Sequence, residues 1–210
     1  MKDETISCRL ARPEDREECV EVVCRAFAEQ DPMTQAFGLT VEDMRPLLEL
    51  TFDASQRARL SAVVITAEGR LAGANMLTTE DMDFYGQAAA ASPKLAYMFS
   101  QLGEKFLPKL VGPARPLFAG KKTVTFSHLG VRKEMAGHGI ANLLADFIYG
   151  EVKDRFDFAI SEALNPRSAA TLLKNGFVCA SRLSYRDSGI PELAGLPGEV
   201  MMMVRDLRKK

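Results

Sequence analysis

One stretch constrains the fold more than any other. Lys122 to Val131 is rich in β-branched and apolar residues and reads as a strand. A turn from Arg132 to Gly139 follows, and then Ile140, Leu143, Leu144, Phe147, Ile148 and Val152 repeat on one face of a helix. The turn contains Gly137-His138-Gly139. A strand end, a glycine turn and a helix N-terminus together present successive backbone N–H groups and the positive end of a helix dipole, which is a site for phosphate oxygens. Gly137 and Gly139 omit side chains where a ligand must come close. A tight strand-to-helix connection would use the same residues, so the segment by itself leaves both readings open.

The rest of the chain has to build a sheet around this unit. Ile6 to Leu10 alternates as a half-buried strand does. Pro13, Glu14 and Asp15 mark a helix start, Val20, Val23, Cys24 and Phe27 supply its apolar stripe, and Asp31-Pro32 ends it. Residues 41–58 carry a second helical pattern with Thr40 as N-cap and Asp43 three residues on; Pro46 is expected to be tolerated because it lies early. Ser61–Thr66 and Leu71–Leu77 flank Ala67-Glu68-Gly69-Arg70 as a hairpin. Residues 80–120 read as an excursion from the core, with a helix near 93–109 and a Pro/Gly-rich exit. Phe156–Ser161 is a strand, Asn165–Lys174 a short helix, and Phe177–Tyr185 and Glu199–Leu207 the last strands. This order is a mixed α/β (α+β) pattern and not the regular alternation of a doubly wound sheet. With 210 residues, a single domain is expected over 1–210.

Charge and composition exclude several partners. The chain has 27 basic and 28 acidic residues, so no broad positive field argues for nucleic acid or an anionic membrane surface. No stretch reaches the roughly 18 apolar residues of a membrane span, and the acidic opening Met1-Lys2-Asp3-Glu4 argues against a signal peptide, so the cytoplasm is the expected location. Cys8, Cys19, Cys24 and Cys179 form no CxxC pair and there are two histidines, so no metal site is expected and the cysteines read as reduced, buried apolar residues.

Leu129-Gly130-Val131 followed by Ala136, Gly137, His138, Gly139, Ile140 and Ala141 resembles the cofactor motif of the GNAT superfamily of acetyl-CoA-dependent N-acetyltransferases. That motif reads Arg or Gln, two residues, Gly, one residue, then Gly or Ala; Ala136, Gly139 and Ala141 occupy its positions, and Ala136 departs from the usual Arg or Gln. Asn165-Pro166-Arg167-Ser168, leading through Lys174 to Gly176-Phe177, resembles a second element of the same family. The resemblance is specific over 122–180 and loose over 6–206.

It implies a mostly antiparallel sheet of six or seven strands flanked by helices, whose strands 122–131 and 156–161 splay apart around the pantetheine arm. It implies acetyl-CoA as donor, a primary amine of a small cationic molecule (polyamine, arylalkylamine or aminoglycoside type) as acceptor, and, as in some relatives, a homodimer through the C-terminal strands. Main-chain groups near Leu129, Gly130 and Val131 and residues 136–141 would hold the cofactor, with Asn165, Ser168 and Lys174 on the other side; Arg132, Lys133 and Lys174 would meet its phosphates. Asn165 reads equally as an N-cap.

An alkyl amine is mostly protonated at neutral pH, so the reaction needs a base. Candidates are Asp31, Glu29, Glu80, Asp81 and His128. Asp31 is favoured, because Glu29-Gln30-Asp31-Pro32-Met33 resembles the acid-Pro-hydrophobic stretch of the arylalkylamine branch, where the acid before proline is the base; a helix-ending turn would use Asp31 equally well. The family Tyr that protonates the leaving thiolate is replaced by Leu172, leaving Ser168 or Tyr185 to substitute. Glu80, Asp81 and Asp83, with Glu29 and Asp31, would make an acidic mouth, and Phe84, Tyr85, Tyr97 and Phe99 would line an apolar pocket or sit in the core. Two other readings stay open: acetylation of a protein or peptide, and a non-catalytic acyl-CoA sensor.

Overall fold

A computed structural model, which describes residues 6–82 and 85–209, pairs the predicted strands into one sheet. Among these residues seven strands run β1 (Ser7–Leu10), β2 (Ser61–Ile65), β3 (Leu71–Thr78), β4 (Thr123–Val131), β5 (Phe158–Ala163), β6 (Val178–Ser184) and β7 (Glu199–Asp206). Their order across the sheet is β1-β2-β3-β4-β5-β7-β6, and every pairing is antiparallel except β4 with β5. The strand predicted at 156–161 sits two residues later, because Phe156 and Asp157 serve the turn that brings β5 beside β4.

Two helical layers cover the sheet. On one face lie α1 (Arg16–Gln30), α2 (Pro32–Ala36) and α3 (Val41–Arg57), followed by the excursion α4 (Tyr85–Ala91), α5 (Pro93–Gln101) and α6 (Leu107–Val111), with a π-helical turn at Leu102–Phe106. On the other lie α7 (Ile140–Val152) and α8 (Pro166–Lys174). Pro46 is the sixth residue of α3 and lies beyond the first turn, contrary to the expectation; the helix continues through it without the hydrogen bond a residue there would donate. Thr40 and Asp43 form the reciprocal cap that starts α3. The excursion is packed and not a loose flap, since Leu95, Phe106, Leu110 and Ala114 are all buried. Cys19 and Cys24 are buried as expected, but Cys8 and Cys179 are only half-buried, because they sit on the sheet's outer strands, where less of the chain covers them.

Close packing fixes the central unit. A Cβ on Gly130 would lie 2.8 Å from the Val23 Cα, so α1 approaches β4 backbone to side-chain-free backbone. On the opposite face Ile140, Leu144, Ala145, Ile148 and Val152 of α7 are buried against β2, β3 and β4. Each large aliphatic side chain among them contributes about 1.5–3 kcal/mol by leaving water. The N-terminus of α7 is therefore held at the C-terminal end of β4. No helix of the described residues is long and apolar enough to cross a membrane.

Candidate functional site

The two parallel strands at the centre do not stay together. β4 pairs with β5 at Thr123, Val124 and Thr125, against Phe158, Ala159 and Ile160, and the Ser161 hydroxyl donates to the Phe126 carbonyl 2.8 Å away. Beyond that point the edge of β4 that faces β5 has no strand partner among the described residues. A register shift in β3–β4 sets Leu77 opposite Phe126 and Met76 opposite His128, leaving Ser127 as the extra residue of a bulge that bends β4 away. The gap opens into a cleft of about 1040 Å³ whose walls include Ser127, Leu129, Val131, Ser161, Glu162 and Leu164.

One mouth of the cleft is the glycine turn. Gly137 and Gly139 have φ of 83° and 77°, the left-handed region, and a Cβ at either would meet nothing within 4 Å, so the space above the turn is open. The first intrahelical donor of α7 is the Leu143 N–H, bonded to the Gly139 carbonyl, which leaves the N–H groups of Ile140, Ala141 and Asn142 for a ligand, whereas those of Ala136 and His138 are donated within the turn, to Lys133 and Met135. Ala136, Gly137, Gly139, Ile140 and Ala141 all line the cleft. His138 is exposed and its Nδ1 lies 3.2 Å from the Ala136 carbonyl oxygen. Gly130 faces α1 instead, as does His128.

α8 forms the facing wall. The Asn165 side-chain oxygen accepts from the N–H groups of Arg167 and Ser168, both at 3.0 Å, so its capping role is realised while it also lines the cleft. The Ser168 hydroxyl donates to the Asn165 carbonyl at 2.8 Å, and could protonate a leaving thiolate only by giving up that bond. Tyr185 is buried with its hydroxyl donating to the Leu164 carbonyl, and burial pushes its pKa up. Lys174, in the last turn of α8, does not line the cleft; Arg132 is committed to Glu18 and the Leu71 carbonyl. Lys133 sits on a short 3-10 turn at the surface. Arg167 lines the cleft and is its single cationic side chain among the described residues.

Asp31 closes the opposite end. It terminates α1, caps α2 and is 7% exposed. Its Oδ2 accepts from the Thr34 N–H (2.7 Å) and hydroxyl (2.6 Å), whereas Oδ1 is buried with no hydrogen-bond partner. Burial raises its pKa above the usual carboxylate value, with the Thr34 bonds pulling partly back. His128 lies behind this end, its ring 5.5 Å from that of Phe27, and burial lowers its pKa to about 4. It is neutral at pH 7 and does not line the cleft.

That burial has a measurable consequence. Because the folded pKa falls below the ordinary 6.5, His128 contributes stability that is fully present above 6.5 and is lost as pH falls through about 4. The gap corresponds to about 3 kcal/mol at about 1.4 kcal/mol per pH unit. His128→Leu is expected to flatten the acid side of a stability-versus-pH curve measured by urea unfolding; an unchanged slope between 6.5 and 4 would contradict the assignment.

Several expected acceptor residues lie elsewhere. Glu80 and Asp81 line a separate pocket at the other end of β4, beside Lys121, Lys122 and Arg155. Glu29 is exposed and lies 3.7 Å from Arg25. Tyr85 packs edge-on to Phe99, and Tyr97 donates to Glu192; none of these aromatics lines the cleft. Asp83 and Phe84 lie outside the described residues. Conversely, Glu162 and Asn75 line the cleft without having been anticipated. Asn75 is fully buried and both polar atoms of its amide are unpartnered. The signal for Glu162 was a lone carboxylate in an apolar strand, visible only once β5 is extended to residue 163.

No family sequence model matches the chain, and no curated protein matches it by sequence. Its structure is similar to arylalkylamine N-acetyltransferase 2 of Aedes aegypti, at 18% identity over 97% of this chain and 99% of that one, with a TM-score of 0.76. It is similar to a mosquito arylalkylamine N-acetyltransferase-like protein 5b (17% identity, 96% and 100% covered, TM-score 0.77). A Drosophila melanogaster polyamine N-acetyltransferase that forms N-acetylagmatine gives 15% identity, 96% and 100% covered, and a TM-score of 0.73. At these identities the likeness establishes the fold, which is the GNAT fold over nearly the whole length of each chain.

Proposed function

We propose that this chain transfers the acetyl group of acetyl-CoA to a primary amine of a small cationic molecule. The observation that carries the reading is the splay of β4 from β5, which joins a free helix N-terminus at one mouth to a buried, half-satisfied carboxylate at the other. The residues fit such a donor. Open space over Gly137 and Gly139, the N-terminus of α7 and Arg167 suit phosphate oxygens, and the unpaired edge of β4 offers main-chain groups to an extended arm. When bound, acetyl-CoA supplies the acyl group as a thioester.

The protein's own part is positional and electrostatic. Asp31 Oδ1 accepts the proton of an incoming ammonium group, and its desolvation makes it a stronger base than an exposed carboxylate. Backbone N–H groups on the open edge of β4 face developing negative charge on the acyl oxygen. The neighbours named for arylalkylamine and polyamine acetylation share this fold and support amine acceptors of that size. The test is calorimetric binding of acetyl-CoA together with release of CoA thiol across polyamines, arylalkylamines, aminoglycosides and lysine peptides. Turnover with a small amine supports the proposal; binding without turnover on any amine points to an acyl-CoA sensor, and no binding rejects the reading of the glycine turn.

A further inference from the structure

Resting on that reading, and going further into the same cleft, the placement of Glu162 speaks to which amine is accepted. Along β5 the side chains alternate: Ala159 and Ala163 pack with α7 and α8, whereas Phe158, Ile160 and Leu164 pack with Met33 and Ala36 of α2. Glu162 therefore faces the side of the sheet from which Asp31 projects, across the gap that opens after Ile160. Its backbone pairs with Met202 of β7, so the side chain is held on a rigid central strand and not on a loop.

Neither carboxylate has a cationic partner. Among the described residues no lysine, arginine or histidine forms an ion pair with Asp31 or Glu162. Arg167, the cation of the cleft, belongs to α8 on the opposite face. Asp31, 93% buried by its 7% exposure, keeps one oxygen unpartnered at the cleft wall. Asp31 is buried and Glu162 half-buried in one cleft, and carboxylates withdrawn from water are costly unless a ligand brings positive charge to each. Burial raises the pKa of Glu162; that of Tyr85 on α4 is raised by burial first and then by the charge of Glu162.

We infer that Glu162 is a specificity-determining residue that pairs with a second cationic nitrogen of the acceptor, while Asp31 receives the proton of the reacting one. The preferred substrate class is thus a flexible molecule with a primary amine at one end and another amine or a guanidine at the other. Monoamines fill the same cleft but leave one desolvated carboxylate without a counter-charge.

The experiment compares 1,4-diaminobutane with n-butylamine in the intact protein and in Glu162→Gln, which keeps the shape and removes the charge. Calorimetry without donor measures acceptor binding, and thiol release with acetyl-CoA measures kcat and KM. In the unaltered protein the diamine is expected to bind at least about tenfold tighter than the monoamine. In Glu162→Gln that ratio is expected to fall about tenfold, carried by KM and not by kcat. Acetyl transfer with no preference for the diamine would overturn this inference while leaving the transferase reading intact. A diamine preference in binding that disappears in Glu162→Gln, without transfer in either protein, would uphold the Glu162 site and reject the transferase reading. Should that variant fail to fold, Glu162→Ala supplies the same comparison, and a diamine preference that it leaves unchanged would overturn the inference.

Discussion

Asp31→Asn is expected to lower kcat for amine acetylation by about two to four orders of magnitude, the range over which a positioned base contributes. Asparagine preserves the cap, because its side-chain oxygen still accepts from the Thr34 N–H and hydroxyl. What it removes is the proton acceptor at the unpartnered Oδ1. Folding is not the casualty. Burial raises the folded pKa of Asp31, so its contribution to stability is fullest below the ordinary 3.8 and is lost as pH rises through the raised value. At neutral pH the Asn variant is therefore expected to be no less stable than the parent.

The same shift sets the pH profile. The base works ionised, so activity in the parent falls as pH drops through a value above the usual carboxylate range, and the variant loses that limb. The amine's own ionisation still raises the rate toward alkaline pH in both proteins. Steady-state kinetics from acid to alkaline pH with one good amine measure both effects. A variant with near-parental kcat would assign the proton to water or another group.

Gly139→Val is expected to weaken acetyl-CoA binding by about thirtyfold or more, with the protein still folded. The cost is conformational and not steric. Gly139 has φ of 77° with open space around the missing Cβ, and a β-branched residue is strongly disfavoured there. A penalty of about 2 kcal/mol is relieved by turning the peptide, and that swings the N–H groups of the first turn away from the ligand. The buried face of α7 keeps the helix in place, so circular dichroism should change little while calorimetric affinity drops. An unchanged affinity would show that the turn is only a connection between β4 and α7. Gly130, in the same stretch, is a different kind of glycine: it makes room for α1, and its replacement should cost stability first.

The order of strands and helices was legible because each element carries its own period and its own punctuation. Thr40 with Asp43, Asp31-Pro32 and the glycines at 137, 139 and 176 are local signals, and each marks a real boundary. The turn at 136–141 was readable for the same reason: its chemistry lies in consecutive backbone groups. Asp31 was readable as a cap, and the structure shows it capping α2; its part as base is the proposal that the Asp31→Asn kinetics test. Pro46 shows the limit of such reasoning, since α3 continues, with Met44, Leu47, Leu48 and Phe52 buried on its flanks, through a residue that local rules would place earlier.

The acceptor end was decided by tertiary structure. Glu80 and Asp81 look acidic and nearby in sequence, yet β3 carries them to the far end of the sheet; Glu162, alone in its strand, is brought into the same cleft as Asp31 by the crossing of β5 beside β4. Likewise His128 and Leu129 are adjacent, but the pleat and the bulge at Ser127 send one behind α1 and the other into the cleft. The sequence by itself thus determined the elements and the glycine turn before α7, which depend on contacts a few residues apart. Only the tertiary structure decided which charges share a cavity, because desolvation and Coulomb interaction act through space over a few ångströms, without regard to separation along the chain.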